Sequence, residues 1–162
     1  MSPTLAEKLN LDWLNNEARR KVDEVNTTAW KLHFVAKQCM EICDKNEKPY
    51  RDQSVIDRAL HRALMLAKSF EDAFKIAELG KRYHENDQAD VLSYNFRFME
   101  MALKKAVLLV VSHQEAIQVY SFAKPIHFSG KGEVCRYALS KASYLRNEEA
   151  VLIEPAFKNF LK

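Results

Sequence analysis

Asp87–Lys124, reading DQADVLSYNFRFMEMALKKAVLLVVSHQEAIQVYSFAK, is the stretch that decides the fold. Ala89, Leu92, Phe96, Met99, Leu103, Ala106, Val110, His113, Ile117, Tyr120 and Lys124 recur at alternating steps of three and four, which is one face of an α-helix. Asn86 and Asp87 offer a cap before it and Pro125 closes it, so the spacing predicts a helix over about 87–124. At about 1.5 Å per residue such a helix is roughly 55 Å long. Met101, Ala102, Val107, Leu108, Leu109 and Val111 stand off the main seam, so its middle is apolar all round and is expected to be enclosed by partners.

The same alternation extends outward on the amino-terminal side. Ile56, Ala59, Ala63, Leu66, Phe70, Ala73 and Ala77 predict a helix over about 53–79, with Gly80 as its terminating residue. Ala18, Val22, Val25, Ala29, Leu32, Ala36, Cys39 and Cys43 predict another over about 12–45, stopped by the polar run Asp44–Pro49. Ser2 before Pro3 signals a short leading helix over 3–10. On the carboxyl side, residues 126–132 read as a loop and 133–146 as a shorter helix. Pro155 predicts a break within the tail 147–162, with a last turn carrying Phe157, Phe160 and Leu161.

Long helices joined by short polar linkers run up, down and up. The expected fold is therefore all-α: an antiparallel helical bundle of three long helices plus a shorter fourth helix and a C-terminal tail, one domain over 1–162. Composition agrees, because three glycines and four prolines in 162 residues are too few for a turn-rich sandwich or barrel. Neither an internal sequence repeat nor a low-complexity tract is evident. The longest apolar run, Ala106–Val111, is far short of a membrane span, and the amino terminus lacks the pattern of a secretory signal. Three cysteines cannot all pair with one another, which favours reduced thiols. The expectation is a soluble, intracellular, cytoplasmic protein with no membrane partner.

The formal charge is +3, and all of the excess falls in residues 120–162, where seven Lys or Arg stand against four Glu. Within that third, Phe128-Ser129-Gly130-Lys131-Gly132 has the composition of a phosphate cradle ahead of a helix, although it is not a Walker A loop. On the following helix Val134, Cys135, Ala138, Ala142 and Leu145 form the inward stripe. Arg136, Ser140 and Ser143 then face outward, and Tyr137 and Tyr144 stack a heptad apart along the edge. Lys131, Arg136, Tyr137, Lys141, Tyr144 and Arg146 are the candidate nucleic-acid-binding residues, cations for phosphate and rings for bases. A secondary basic face is read from Lys68, Lys75 and Arg82, which follow His61 at seven-residue intervals, with Arg58 and Arg62 beside that line. Trp30 and Phe34 fall outside their helix's seam and are the candidate partner interface.

No catalytic constellation emerges. His113 reads as a hydrogen-bonded core histidine, Cys39 and Cys43 as packing residues, and Cys135 as a structural thiol. No Glu stands three residues before a His, as a di-metal bundle requires, so neither metal nor cofactor is expected. The functional expectation is a non-catalytic accessory or assembly subunit of a larger complex, contacting DNA or RNA phosphates through its basic C-terminal third. Its alternative is a protein–protein adaptor or effector with no nucleic-acid role, using the aromatic face. Partners are other protein subunits or a second copy of the chain.

Overall fold

The computed structural model describes residues 16–45, 55–86 and 97–161, with side chains except at 86 and 148–161. The short helix expected over 3–10 lies outside the described residues. Among those described there are seven helices and no strand: α1 (Ala18–Val22), α2 (Ala29–Lys45), α3 (Val55–Leu66), α4 (Phe70–Asn86), α5 (Arg97–Leu109), α6 (His113–Ala123) and α7 (Lys131–Leu161). The all-α bundle stands, but each of the three long helices is cut in two.

The cuts share one cause, a hydroxyl cap that outcompetes the continuing helix. Thr28 Oγ1 accepts from the amide of Lys31 at 3.3 Å and starts α2. Val25, which periodicity had placed on the seam, lies in the gap and is 89% exposed. Ser69 Oγ accepts from the amide of Asp72 at 3.1 Å while the Asp72 carboxylate reaches back to the amide of Lys68, which separates α3 from α4. Ser112 Oγ accepts from the amide of Glu115 at 3.2 Å and Glu115 Oε2 accepts from that of Val111 at 2.9 Å, dividing α5 from α6. The last two are reciprocal caps built on Ser-x-x-acid spacing.

Two further boundaries differ from expectation. Gly80 does not end its helix, because α4 continues to Asn86. An added Cβ at Gly80 would lie 2.7 Å from the Met99 amide nitrogen, so this glycine serves a close approach between α4 and α5. The expected break at Pro155 is also absent. α7 begins at Lys131, two residues earlier than expected, and passes through Pro155 to Leu161. A proline removes one donor from the ladder, and the good helix formers Ala150, Leu152, Glu154 and Ala156 around it favour continuation.

Packing turns the seven pieces into a serial stack. α2 packs chiefly on α3, α4 on α5, and α6 on α7, giving three helical hairpins with α1 against the first. The first hairpin contacts the second through α2–α4, α3–α4 and α3–α5, and the second contacts the third through α5–α6 and α5–α7. Each hairpin thus buries its face on its sequence neighbour, the logic of a helical array. The core follows the sequence seams closely: Leu32, Cys39, Ile56, Ala63, Ala77, Met99, Leu103 and Ala106 are all buried. The expectation that the apolar middle of Asp87–Lys124 is enclosed is corrected. Leu108 and Val111 are each 76% exposed, beside the cap at Ser112 that ends α5, and no described helix covers their side.

Candidate functional site

The stripe expected on the last helix fixes the site. Val134, Ala138, Ala142 and Leu145 are buried and Cys135 is half-buried, which leaves Tyr137 and Tyr144 exposed on α7. Beside them runs α5, and between the two helices opens a groove of about 460 Å³. Val107 and Leu108 from α5 and Val134, Tyr137 and Tyr144 from α7 line it, with Lys104, Glu133, Ser140 and Lys141 at its polar positions. From Glu133 to Tyr144 the lining follows α7 for about 16 Å, three helical turns at about 1.5 Å per residue.

The groove's cations are engaged within the chain. Lys104 Nζ stands 3.9 Å from Glu100 Oε1 and 3.7 Å from Glu133 Oε2, bridging α5 to α7. Lys141 Nζ donates to the carbonyl of Leu108 at 3.3 Å, near the C-terminus of α5, where a positive charge complements the helix dipole. The Arg136 guanidinium sits 5.5 Å from the Tyr137 ring centroid, within cation–π range.

Of the six residues expected to bind nucleic acid, Tyr137, Lys141 and Tyr144 come together here. Lys131, Arg136 and Arg146 do not line the groove. The phosphate cradle expected at Gly130–Gly132 is occupied by the chain itself. A Cβ at Gly130 would fall 1.6 Å from Glu100 Oε1, so a carboxylate already lies against this helix start. Lys131 and Gly132 belong to the first turn of α7 rather than to a loop. Six groove residues escaped the sequence reading as site members: Lys104, Val107, Leu108, Glu133, Val134 and Ser140. The signal for two of them was present, since Val107 and Leu108 stood off the seam.

The secondary basic face does not form a line. The break at Ala67–Ser69 puts Arg58 and Arg62 on α3 and Lys75 and Arg82 on α4, with Lys68 in the gap. Arg58 pairs with Asp23, and Arg62 donates to the carbonyl of Val22, so both tie α3 to the end of α1. Arg82 pairs with Asp44 of α2 at 2.7 Å and Lys75 with Glu71 at 2.9 Å. Arg58, Arg62 and Arg82 thus link neighbouring helices while Lys75 pairs within α4, and each exposed pair is worth only about 0–1 kcal/mol.

Trp30 and Phe34 are exposed on α2, as the sequence reading has them. Their rings stack with centroids 6.0 Å apart and planes 14° from parallel. Next to Phe34, His33 is held below the ordinary histidine range, first by burial and then by Lys75 and Lys37.

His113, Cys39, Cys43 and Cys135 lie apart from the groove lining. His113 Nδ1 meets the carbonyl oxygen of Ala142 at 2.8 Å, joining α6 to α7. No cluster of metal-ligating side chains is found among the described residues. Cys39 and Cys43 are buried, and burial pushes the Cys39 thiol up to about 12, far from reactive thiolate. Cys135 is only half-buried. Under native conditions one thiol per chain is therefore expected to react quickly with Ellman's reagent, and all three after unfolding. Two fast native thiols would contradict the burial of the α2 pair.

No protein-family model, no curated protein and no solved structure matches this chain. Among the described residues, no helix is long and apolar enough to cross a membrane. The chemistry of the groove therefore carries the functional reading.

Proposed function

We propose that the protein is a non-catalytic helical adaptor that takes an amphipathic helix of a partner protein in the α5–α7 groove. The observation that supports this is the lining itself: Leu108, Tyr137 and Tyr144 are exposed side by side along three turns, over a floor of Val107 and Val134. That is the surface an apolar i, i+3/i+4, i+7 stripe fits. Aromatic anchors in such a groove carry about 2 kcal/mol or more each when fully desolvated by a partner. Phosphate binding is less well served, because Lys104 faces two carboxylates, Lys141 is bonded to a carbonyl and Glu100 fills the helix start.

Two labelled probes separate the readings: a helical peptide with Leu and Phe at i, i+4 and i+7 flanked by Glu, and a single-stranded oligonucleotide. The peptide is expected to bind, weakened about tenfold or more by Leu108→Asp or Tyr144→Ala and unchanged by Arg146→Glu. Oligonucleotide binding that falls steeply with salt and is lost on Arg136→Glu, with no peptide binding, would overturn the adaptor reading in favour of a nucleic-acid one.

A further inference from the structure

Lys141 interrupts the apolar wall of the groove. Tyr137, Lys141 and Tyr144 follow one another on α7 at steps of four and three, so this half-buried lysine stands between the two exposed rings. Its ammonium donates to the carbonyl of Leu108 on the facing helix, and none of the ion pairs among the described residues includes it. A carbonyl is a hydrogen-bond acceptor but not a counter-charge.

The other charges around the groove are already engaged. Lys104 lies between Glu100 and Glu133, and Glu133 is eight residues before Lys141, about 12 Å along α7 at about 1.5 Å per residue. Arg136 sits over the Tyr137 ring and outside the lining, and Glu115 accepts from the amide of Val111. Of the charged residues that line the groove, Lys141 alone has no carboxylate paired with it among the described residues. While the groove is open, water completes the solvation of that ammonium. A helix laid over Tyr137 and Tyr144 removes the water, and an ammonium left with one carbonyl is then a costly buried charge. A carboxylate on the incoming helix offsets that cost with a charge-assisted hydrogen bond. A helix that is apolar or basic at the same point meets the full penalty and is rejected.

We infer that Lys141 selects the partner by charge: the docked helix carries a carboxylate that meets Lys141, between the apolar residues that meet Tyr137 and Tyr144. This inference rests on the groove being a docking site for helices and names the chemistry of what it takes. It is tested on the full chain with labelled helical peptides that share the apolar i, i+4, i+7 stripe and carry Gln elsewhere. A single Glu is moved through the positions between the stripe residues, and the tightest-binding position is then compared as Glu, Gln and Lys.

The wild type is expected to prefer the Glu peptide to the Gln peptide by about tenfold and to bind the Lys peptide more weakly still. Lys141→Arg, which retains the charge, is expected to retain the preference. Lys141→Met is expected to lose it and to hold the Gln peptide more tightly than the wild type does, because no ammonium is then stranded. Lys141→Glu is expected to favour the Lys peptide, an exchange of preference that a purely structural lysine would not produce. Arg146→Gln, outside the lining, is expected to change nothing. If Lys141→Met lowers helix content by circular dichroism, Lys141→Gln replaces it. Equal affinity of the wild type for the Glu and Gln peptides, or a preference that survives Lys141→Met, would overturn the inference while leaving the adaptor reading standing. Failure of the wild type to bind any of the peptides would overturn both.

Discussion

Gly80→Ala is expected to destabilise the bundle by about 1–3 kcal/mol, the cost of overpacking a close contact, whereas Gly132→Ala is expected to stabilise it by about 0.5–1 kcal/mol. The substitution is chemically the same and both sites are helical, so local propensity favours alanine at each, more so at Gly80 in mid-helix than at Gly132 in the first turn. The surroundings decide the sign. At Gly132 an added methyl group meets nothing within 4 Å. At Gly80 it would lie 2.7 Å from the Met99 nitrogen, 3.1 Å from Met99 Cα and 3.2 Å from the Phe98 carbonyl carbon. All three are backbone atoms, so no rotamer change relieves the contact, and α4 must move off α5. Denaturant midpoints of the two variants at constant m-value check this. Stabilisation by both would show that the α4–α5 approach is looser than described, and a larger residue such as Gly80→Leu is expected to cost more than alanine.

Gly80 also shows what the sequence could convey. A glycine after an apolar helical run reads as a terminator, and nothing in the run itself tells a terminator from a crossing point; that distinction lies in Phe98 and Met99, eighteen or more residues away. The seams were legible because burial repeats every three or four residues, which is why Leu32, Ile56, Leu103 and the α7 stripe were placed correctly. The breaks were not, because apolar periodicity carries across a gap of a few residues while the capping hydroxyl acts on only two or three amides. Ser69-x-x-Asp72 and Ser112-x-x-Glu115 have the spacing of helix start signals, but the apolar seams run on past both, and periodicity alone reads straight through them. At the site, the wheel of α7 gave the exposed tyrosines. It could not show that Leu108 would lie opposite them, that Lys104 would stand between two carboxylates, or that Glu100 would cover Gly130. Each of those depends on how the second hairpin sits on the third.

That same stacking sets the outcome of core truncation. Leu103→Ala and Leu32→Ala each remove a fully buried leucine and are each expected to cost about 2–5 kcal/mol, a large share of the roughly 5–15 kcal/mol that holds a domain folded. Their reach along the chain should differ. Leu103 is on α5, which packs against α3, α4, α6 and α7 and so joins the middle hairpin to both others. Leu32 is on α2 of the first hairpin, whose described contacts are with α1, α3 and α4. When stability is close to a sum of hairpin terms and nearest-neighbour interfaces, damage at an end opens that end, whereas damage at the centre removes two interfaces together. Amide hydrogen exchange by mass spectrometry is therefore expected to show Leu32→Ala losing protection over 29–66 while 97–123 stays protected, and Leu103→Ala losing it in all three hairpins. Equal loss everywhere in both variants would mean that the helices unfold as one cooperative core, and the serial description of this bundle would fail.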